Sequence, residues 1–345
     1  MISRRQFLAA GSVALFPARQ LWAADTANPE TTAAEMITSA TAKSIERGLV
    51  FLSQRQQEDG ALGSGGYSRN VAVCALAGMA FMAGGSTPGR GRFGRNVRAC
   101  IDYLLTCTKE SGFIEAEDSS SHGPMYGHGF ATLFLAEAYG MSSRDDLREK
   151  LQRAVELIVA TQNSEGGWRY QPVPRDADLS VTVCQVMALR AARNAGIHVP
   201  HETIDRSIDY VKRCQNPDGG FMYMVQGGQS AFPRSAAGVV ALYSAGIYDG
   251  PEIDKGLEYL DQFLPRGSAF NRESHFFYGH YYAVQAMWHA GGERWGKWYP
   301  AIRDSLIERQ REDGSWMDSI CQEYGTAMAC LILQMPNNYL PIFQR

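Results

Sequence analysis

Gln162-Asn163-Ser164-Glu165-Gly166-Gly167-Trp168 is the stretch on which the fold turns. A Gln stands four residues before a Gly, with an acid directly before that Gly and an aromatic just after it. The pattern returns around Gln215-Asp218-Gly219-Phe221 and Gln310-Asp313-Gly314-Trp316, and without the aromatic at Gln56-Asp59-Gly60. Two weaker copies fill the gaps, at Ser111-Gly112-Phe113 and at Arg266-Gly267 with Phe270. The six turn glycines (60, 112, 166, 219, 267 and 314) lie 47 to 54 residues apart. An acid followed by Gly marks a tight turn, because Gly takes positive φ without a steric penalty. A turn returning at this period is the signature of stacked two-element repeats.

Outward from each turn, the preceding residues carry a helical stripe. Ile45, Leu49 and Leu52 recur as Val97, Ile101 and Leu104, then as Leu151, Val155 and Ile158. The stripe continues as Ile204, Ile208 and Val211, and as Ile253, Leu257 and Leu260, with a shifted sixth copy at Tyr299, Ile302 and Leu306. Spacing of i, i+4, i+7 is one face of a helix. The other face is charged, as in Glu46-Arg47 and Arg303-Asp304, so these helices are half-buried. After each turn comes a loop and then a segment apolar nearly all round: 71–83, 130–139, 181–192, 239–245, 282–290 and 326–333. A helix apolar on every side is buried on every side. Gly84, Gly140, Gly196, Gly246 and Gly291 read as left-handed C-caps of these segments.

The expected fold is therefore all-α and single-domain, with six helix pairs near 41–94, 95–146, 147–200, 201–250, 251–298 and 299–345. An open stack would need polar end caps. Neither end of this one is clearly polar, so closure into an (α/α)6 ring, an α/α toroid, is expected.

Gln-x-x-x-Gly followed by Trp or Phe resembles the QW repeat of squalene cyclases and protein prenyltransferase β subunits. The resemblance spans 41–345 and implies the α/α toroid fold of the terpenoid cyclase and prenyltransferase superfamily. It reports fold rather than chemistry.

The first residues read separately. Ser3-Arg4-Arg5-Gln6-Phe7-Leu8 precedes an uncharged apolar stretch and small residues up to Ala24. That order resembles a twin-arginine signal peptide over 1–24, followed by a linker over 25–40, and implies an exported, periplasmic protein. The formal net charge of −3 becomes −6 once Arg4, Arg5 and Arg19 are removed. A mildly acidic chain with no basic run argues against nucleic acid. The seven cysteines lack CxxC spacing and read as small buried hydrophobes.

In a toroid all inner helices run parallel, so the segments before them gather at one mouth, where helix N-termini favour negative charge. His122, His128, His275 and His280 fall there. His128 and His280 stand in matching tripeptides, Tyr126-Gly127-His128 and Tyr278-Gly279-His280, in repeats three steps apart. Two Tyr-His pairs are thus expected to face each other across the mouth, or else to cap and pack helix starts. Tyr324-Gly325-Thr326 is a relative. Asp176-Ala177-Asp178 sits where squalene–hopene cyclases carry Asp-x-Asp-Asp, whose middle Asp protonates the substrate; by that resemblance Asp178 is the candidate acid, with Asp176 beside it. The motif's last Asp is Leu179 here, and Asp178 equally suits an N-cap.

Tyr281 and Tyr282 add aromatic faces suited to carbocations or to sugars. Arg69 and Arg234, before inner helices, are placed to bind an anionic headgroup or to cap neighbours. Resemblance to protein prenyltransferases raises zinc, with Asp178, His128, His280 and Cys184 as candidate ligands. The closely spaced Asp-x-Cys pair of those enzymes is absent, so no cofactor and no metal site is expected.

Three functions fit. The first is a cyclase- or transferase-like protein that binds or transforms an isoprenoid or other small apolar ligand. The second is a glycan-active toroid enzyme using acids among Asp176, Asp178, Glu273 and Glu323. The third is a non-catalytic lipid-binding or interaction scaffold. Peripheral contact with a membrane and the oligomeric state stay open.

Overall fold

Each predicted stripe is an outer helix in the computed structural model, which describes residues 29–31, 33–142, 144–265 and 274–344. The outer helices are α1 (Ser39–Arg55), α3 (Gly94–Thr106), α5 (Asp145–Ala160), α7 (His201–Arg213), α9 (Pro251–Asp261) and α11 (Gly292–Arg309). The inner helices are α2 (Val71–Ala83), α4 (Pro124–Tyr139), α6 (Leu179–Asn194), α8 (Phe232–Ser244), α10 (Phe276–Ala290) and α12 (Gln322–Leu333). Among the described residues there is no β-strand beyond isolated bridges such as Trp168 with Asp178. No described helix is long and apolar enough to cross a membrane.

Burial follows the stripes. On α1 the side chains of Ile45, Leu49 and Leu52 are buried, whereas on α2 nearly every residue is. Each inner helix packs on the next, and α12 packs back on α2 while α1 meets α11 and α12. The chain is a closed ring of six.

The repeated Gln and Gly explain the regular stacking. Gln162 Nε2 donates to Gly166 O within its own turn and to Thr203 O of the next outer helix, both at 2.9 Å. Gln56 does the same with Gly60 and Asn96, and Gln215 with Gly219 and Glu252. A Cβ on Gly166 would lie 2.1 Å from Arg206 O, at a φ of +99°, so only Gly lets the turn approach the neighbouring helix.

Three sequence expectations shift. The inner helices α4, α6, α8, α10 and α12 begin two to seven residues earlier than their apolar runs. Their first turns carry Pro, Gly, Ser and Tyr, which hide a helix start from a hydrophobicity reading; Pro124 and Pro233 lie in first turns, where a missing N–H costs nothing. The Tyr-Gly-His tripeptides are therefore helical. Gly196, Gly246 and Gly291 take positive φ as C-caps, but Gly84 and Gly140 do not, and Gly85 takes that role after α2. The turn at Gly267 and the expected signal over 1–24 lie outside the described residues. Part of the expected linker, residues 29–31 and 33–38, packs on the ring: Arg303 donates to Met36 O, and Asn338 donates to Glu30.

Candidate functional site

All six inner helices begin at one mouth, and their first turns line a cavity of about 370 Å³. The lining alternates with a fixed register. Ala72, Tyr126, Ser180, Pro233, Tyr278 and Tyr324 contribute, one from each inner helix. Two residues further on, the side chains point outward. Thr182 Oγ accepts from Trp168 N at 3.1 Å, Ser235 Oγ from Phe221 N at 2.8 Å and Thr326 Oγ from Trp316 N at 3.0 Å. Residues i and i+2 stand about 200° apart around a helix. At all six positions the residue two further on, Cys74, His128, Thr182, Ser235, His280 or Thr326, does not line the cavity.

That register separates each Tyr-His pair. His128 occupies the outward position of repeat two. Its Nδ1 accepts from Ile114 N at 3.2 Å, so its Nε2 carries the proton and donates to Ala154 O at 3.2 Å. Burial pushes this imidazole down to about 4, which keeps it neutral. His280 is likewise buried, against the rings of Phe232, Phe276 and Trp298. Neither histidine lines the cavity. Tyr126 and Tyr278 do, and Tyr278 donates to Ser180 O at 3.1 Å. The expected Tyr-His pairs facing across the mouth are thus tyrosines alone.

Asp178 caps α6, accepting from Val181 N at 2.9 Å, and its side chain is fully buried behind the lining. Its other oxygen, Oδ2, stands 3.9 Å from Arg169 Nε. Burial raises its pKa to about 6, against the opposing pull of the Val181 N–H, Tyr223 and Arg169. Asp176 is half exposed and ion-paired with Arg169. Tyr170 and Tyr223, hydrogen-bonded to each other through their hydroxyls, line the cavity on the Asp178 side.

The remaining candidates divide. Arg234 lines the cavity and is held by Phe221 O at 3.0 Å. Arg69 does not line it: at a φ of +61°, it turns its guanidinium to Asp59. Tyr281 and Tyr282 are fully buried beneath the cavity, Tyr282 with its hydroxyl 3.3 Å from Cys184 Sγ. Of the four zinc candidates, His128 has both ring nitrogens bound to backbone and Asp178 caps a helix. Among the described residues no three His, Cys, Asp or Glu side chains gather as a metal site. This set does not fit zinc.

Sequence reasoning missed Phe130, Tyr170 and Tyr223 in the lining. A signal existed: four residues after the turn Gly, Ala116, Tyr170, Tyr223 and Asp318 line the cavity, although Ser64 of the first repeat does not. The alignment of Thr326 with His128 and His280 also marked those histidines as outward.

The solved structures that this fold resembles include two kinds of toroid enzyme. One is the type II terpene cyclase MstE from Scytonema, at 15% identity and a TM-score of 0.62, covering 87% of this chain and 99% of that one. MstE has also been solved with geranylgeranyl dihydroxybenzoate as substrate. The other is the α-1,6-mannanase GH76A of Salegentibacter sp. HEL1_6, at 7% identity and a TM-score of 0.62, covering 86% of this chain and 98% of that one. The GH76 α-mannanase BT2949 of Bacteroides thetaiotaomicron is similar at 10% identity and a TM-score of 0.62, covering 89% and 98%. At these identities the likeness is one of fold. No curated protein sequence matches the chain. The family described as the prenyltransferase alpha-alpha toroid domain matches residues 31–167 and 142–312. With most of its length matched and its ring closed, the chain belongs to the prenyltransferase α/α toroid domain family.

Proposed function

We propose that this is an exported toroid that takes an isoprenoid-like apolar ligand into its mouth cavity, with Asp178 as the acid. The observation that carries the reading is the lining: Phe130 at the floor and Tyr126, Tyr278, Tyr324, Tyr170 and Tyr223 on the walls. A concave, largely apolar pocket with Tyr and Phe rings in its wall suits a ligand with an apolar chain, and aromatic faces stabilise cationic character along it. The Arg4-Arg5 leader supports export.

Asp178 is a buried acid directly behind the Tyr170 and Tyr223 part of this wall, and its raised pKa leaves it protonated in mildly acidic water. It lacks the second aspartate that would sharpen its acidity, so it suits proton donation to an oxygen or an activated double bond better than to an isolated alkene. The glycan reading needs two carboxylates facing a groove. Asp176 is tied to Arg169, and Glu323 to Arg55 at 2.9 Å. Glu273 lies outside the described residues.

The test is lipid extraction and mass spectrometry on protein purified from its exported location, beside Asp178→Asn and Phe130→Trp. A co-purifying isoprenoid that is lost with Phe130→Trp, and chemically altered or unconverted with Asp178→Asn, supports both parts. An empty wild-type protein that binds no added isoprenoid would overturn the reading.

A further inference from the structure

The ring has a second end, where the inner helices finish. The chain leaving α12 returns across it. Gln334 Nε2 donates to Ala80 O at 3.0 Å and Asn337 Nδ2 to Ala83 O at 2.9 Å, carrying the chain over the end of α2. The short 3-10 turn Pro341–Phe343 then packs against α6. Leu340, Ile342 and Phe343 are buried like core residues.

Two polar side chains, one of them the Arg190 guanidinium, hold this segment. Arg190, nearly buried at the end of α6, donates from Nη1 to Tyr243 O at 3.1 Å and from Nη2 to Gln344 O at 2.7 Å. Glu137, near the end of α4 and also buried, accepts from the Ile342 N–H. Buried polar groups are costly to leave unpaired, so their bonds to Gln344 and Ile342 fix the segment at one position in the ring.

What the segment fills is the ring's axis. Phe130 of α4 and Tyr281 of α10 come from inner helices three steps apart, and their ring centroids lie 6.3 Å from each other. They can meet only across the axis. Tyr281 in turn stands 6.3 Å from Phe343. Phe130, Tyr281 and Phe343 thus form one column running from the cavity floor to the segment after α12. The helix from Phe130 to the end of α4 covers about 14 Å of that depth. The Tyr281 ring is fully buried and held by Phe130, by Tyr282 at 4.9 Å and by Phe343, so removing the Phe343 ring opens space directly against it.

We infer that segment 340–344 is the specificity-determining floor of the cavity: by supporting Tyr281 from below, it sets the length of apolar chain that the ligand can carry. The inference rests on the apolar-ligand reading above. With Phe343 in place, Tyr281 cannot drop, and Phe130 ends the cavity. Without it, Tyr281 has room to move down the axis and a longer chain can follow.

The experiment compares geraniol, farnesol and geranylgeraniol, each one isoprene unit longer than the last. Dissociation constants are measured by titration calorimetry on the full chain, on Phe343→Ala, and on a chain stopped after Tyr339. Tyr339→Ala, at a largely exposed site, serves as control. Thermal melting selects the variants that fold; if the shortened chain does not, Phe343→Ala decides. The expected result is a preference for a shorter alcohol in the wild type. In the Phe343→Ala variant the longest alcohol gains about tenfold or more in affinity, with the control unchanged. Binding with the same length preference in wild type and in folded Phe343→Ala would overturn the floor. Binding of none of the three to the wild type would instead overturn the apolar-ligand reading, and would leave the variants equally silent.

Discussion

Gln310 Nε2 lies 2.8 Å from Ser44 O, a hydrogen bond between residues 266 apart that joins the last repeat to the first. The same side chain bonds Gly314 O at 2.9 Å and accepts from Ser44 Oγ at 2.9 Å. Repeats that could have stacked without end are tied into a ring by the same motif that joins the first, third and fourth repeats to their successors.

Gln310→Leu should therefore destabilise the fold by about 2 kcal/mol, since it strands buried or half-buried backbone carbonyls. Gln215→Leu, which loses the equivalent bonds inside the ring, is the comparison. Urea denaturation reads both. A cost within a few tenths of a kcal/mol for Gln310→Leu would mean that apolar packing alone closes the ring.

Two glycines with similar backbone test the close approach of turn and helix. A methyl group on Gly166 would stand 2.1 Å from Arg206 O, whereas one on Gly196, at a φ of +83°, would meet nothing within 4 Å. Gly196→Ala should cost about 1 kcal/mol for its strained φ alone, and Gly166→Ala about 3 kcal/mol or more. Equal melting temperatures for the two would refute the steric account.

His128→Ala should cost about 3 kcal/mol by orphaning the Ile114 N–H and the Ala154 carbonyl. His128→Thr, which places at this position the residue that repeats three and six carry, should recover part of that loss. The imidazole's folded pKa is depressed to about 4 from 6.5. Its contribution is thus present above the unfolded value and lost as pH falls through the folded one. Between those values His128→Thr should lose less stability than wild type. Denaturation at pH 7 and pH 5 measures the difference.

Asp178 titrates in the opposite sense. Its folded pKa, about 6 against 3.8, is raised by burial, so the stability linked to its proton is present below 3.8 and lost as pH rises through 6. Asp178→Asn keeps the α6 cap and removes the buried charge. Relative to wild type it should gain up to about 3 kcal/mol between pH 4 and pH 8. Tyr223→Phe should raise the Asp178 pKa further, read by carboxyl carbon NMR, because Tyr223 helps to hold the charged form. An unchanged titration would separate the two residues.

The repeat period, the outer stripes and the fully apolar inner segments made the ring legible before any coordinates. Each is a local rule, repeated: where a Gly must turn, which face of a helix is wet, which helix has no wet face. Position at the mouth was legible too, because parallel inner helices bring Tyr126, Ser180, Tyr278 and Tyr324 to one end whatever their details.

The direction of each side chain was not. Tyr126 and His128 are two residues apart, and only a helix already started at Pro124 turns one inward and the other outward. Had the tripeptide been a loop, both could have faced the cavity. Asp178 reads identically as acid or cap in the sequence; its position behind Tyr170 and Tyr223 comes from the packing of two neighbouring turns. The filled axis belongs to tertiary structure as well. Phe130, Tyr281 and Phe343 are distant in sequence and meet only because the ring closes. The sequence alone determined the periodic ring, since periodic burial depends on near neighbours along the chain. Ring closure decided the depth and lining of the cavity, because volume is set by side chains that have no sequence relation to one another.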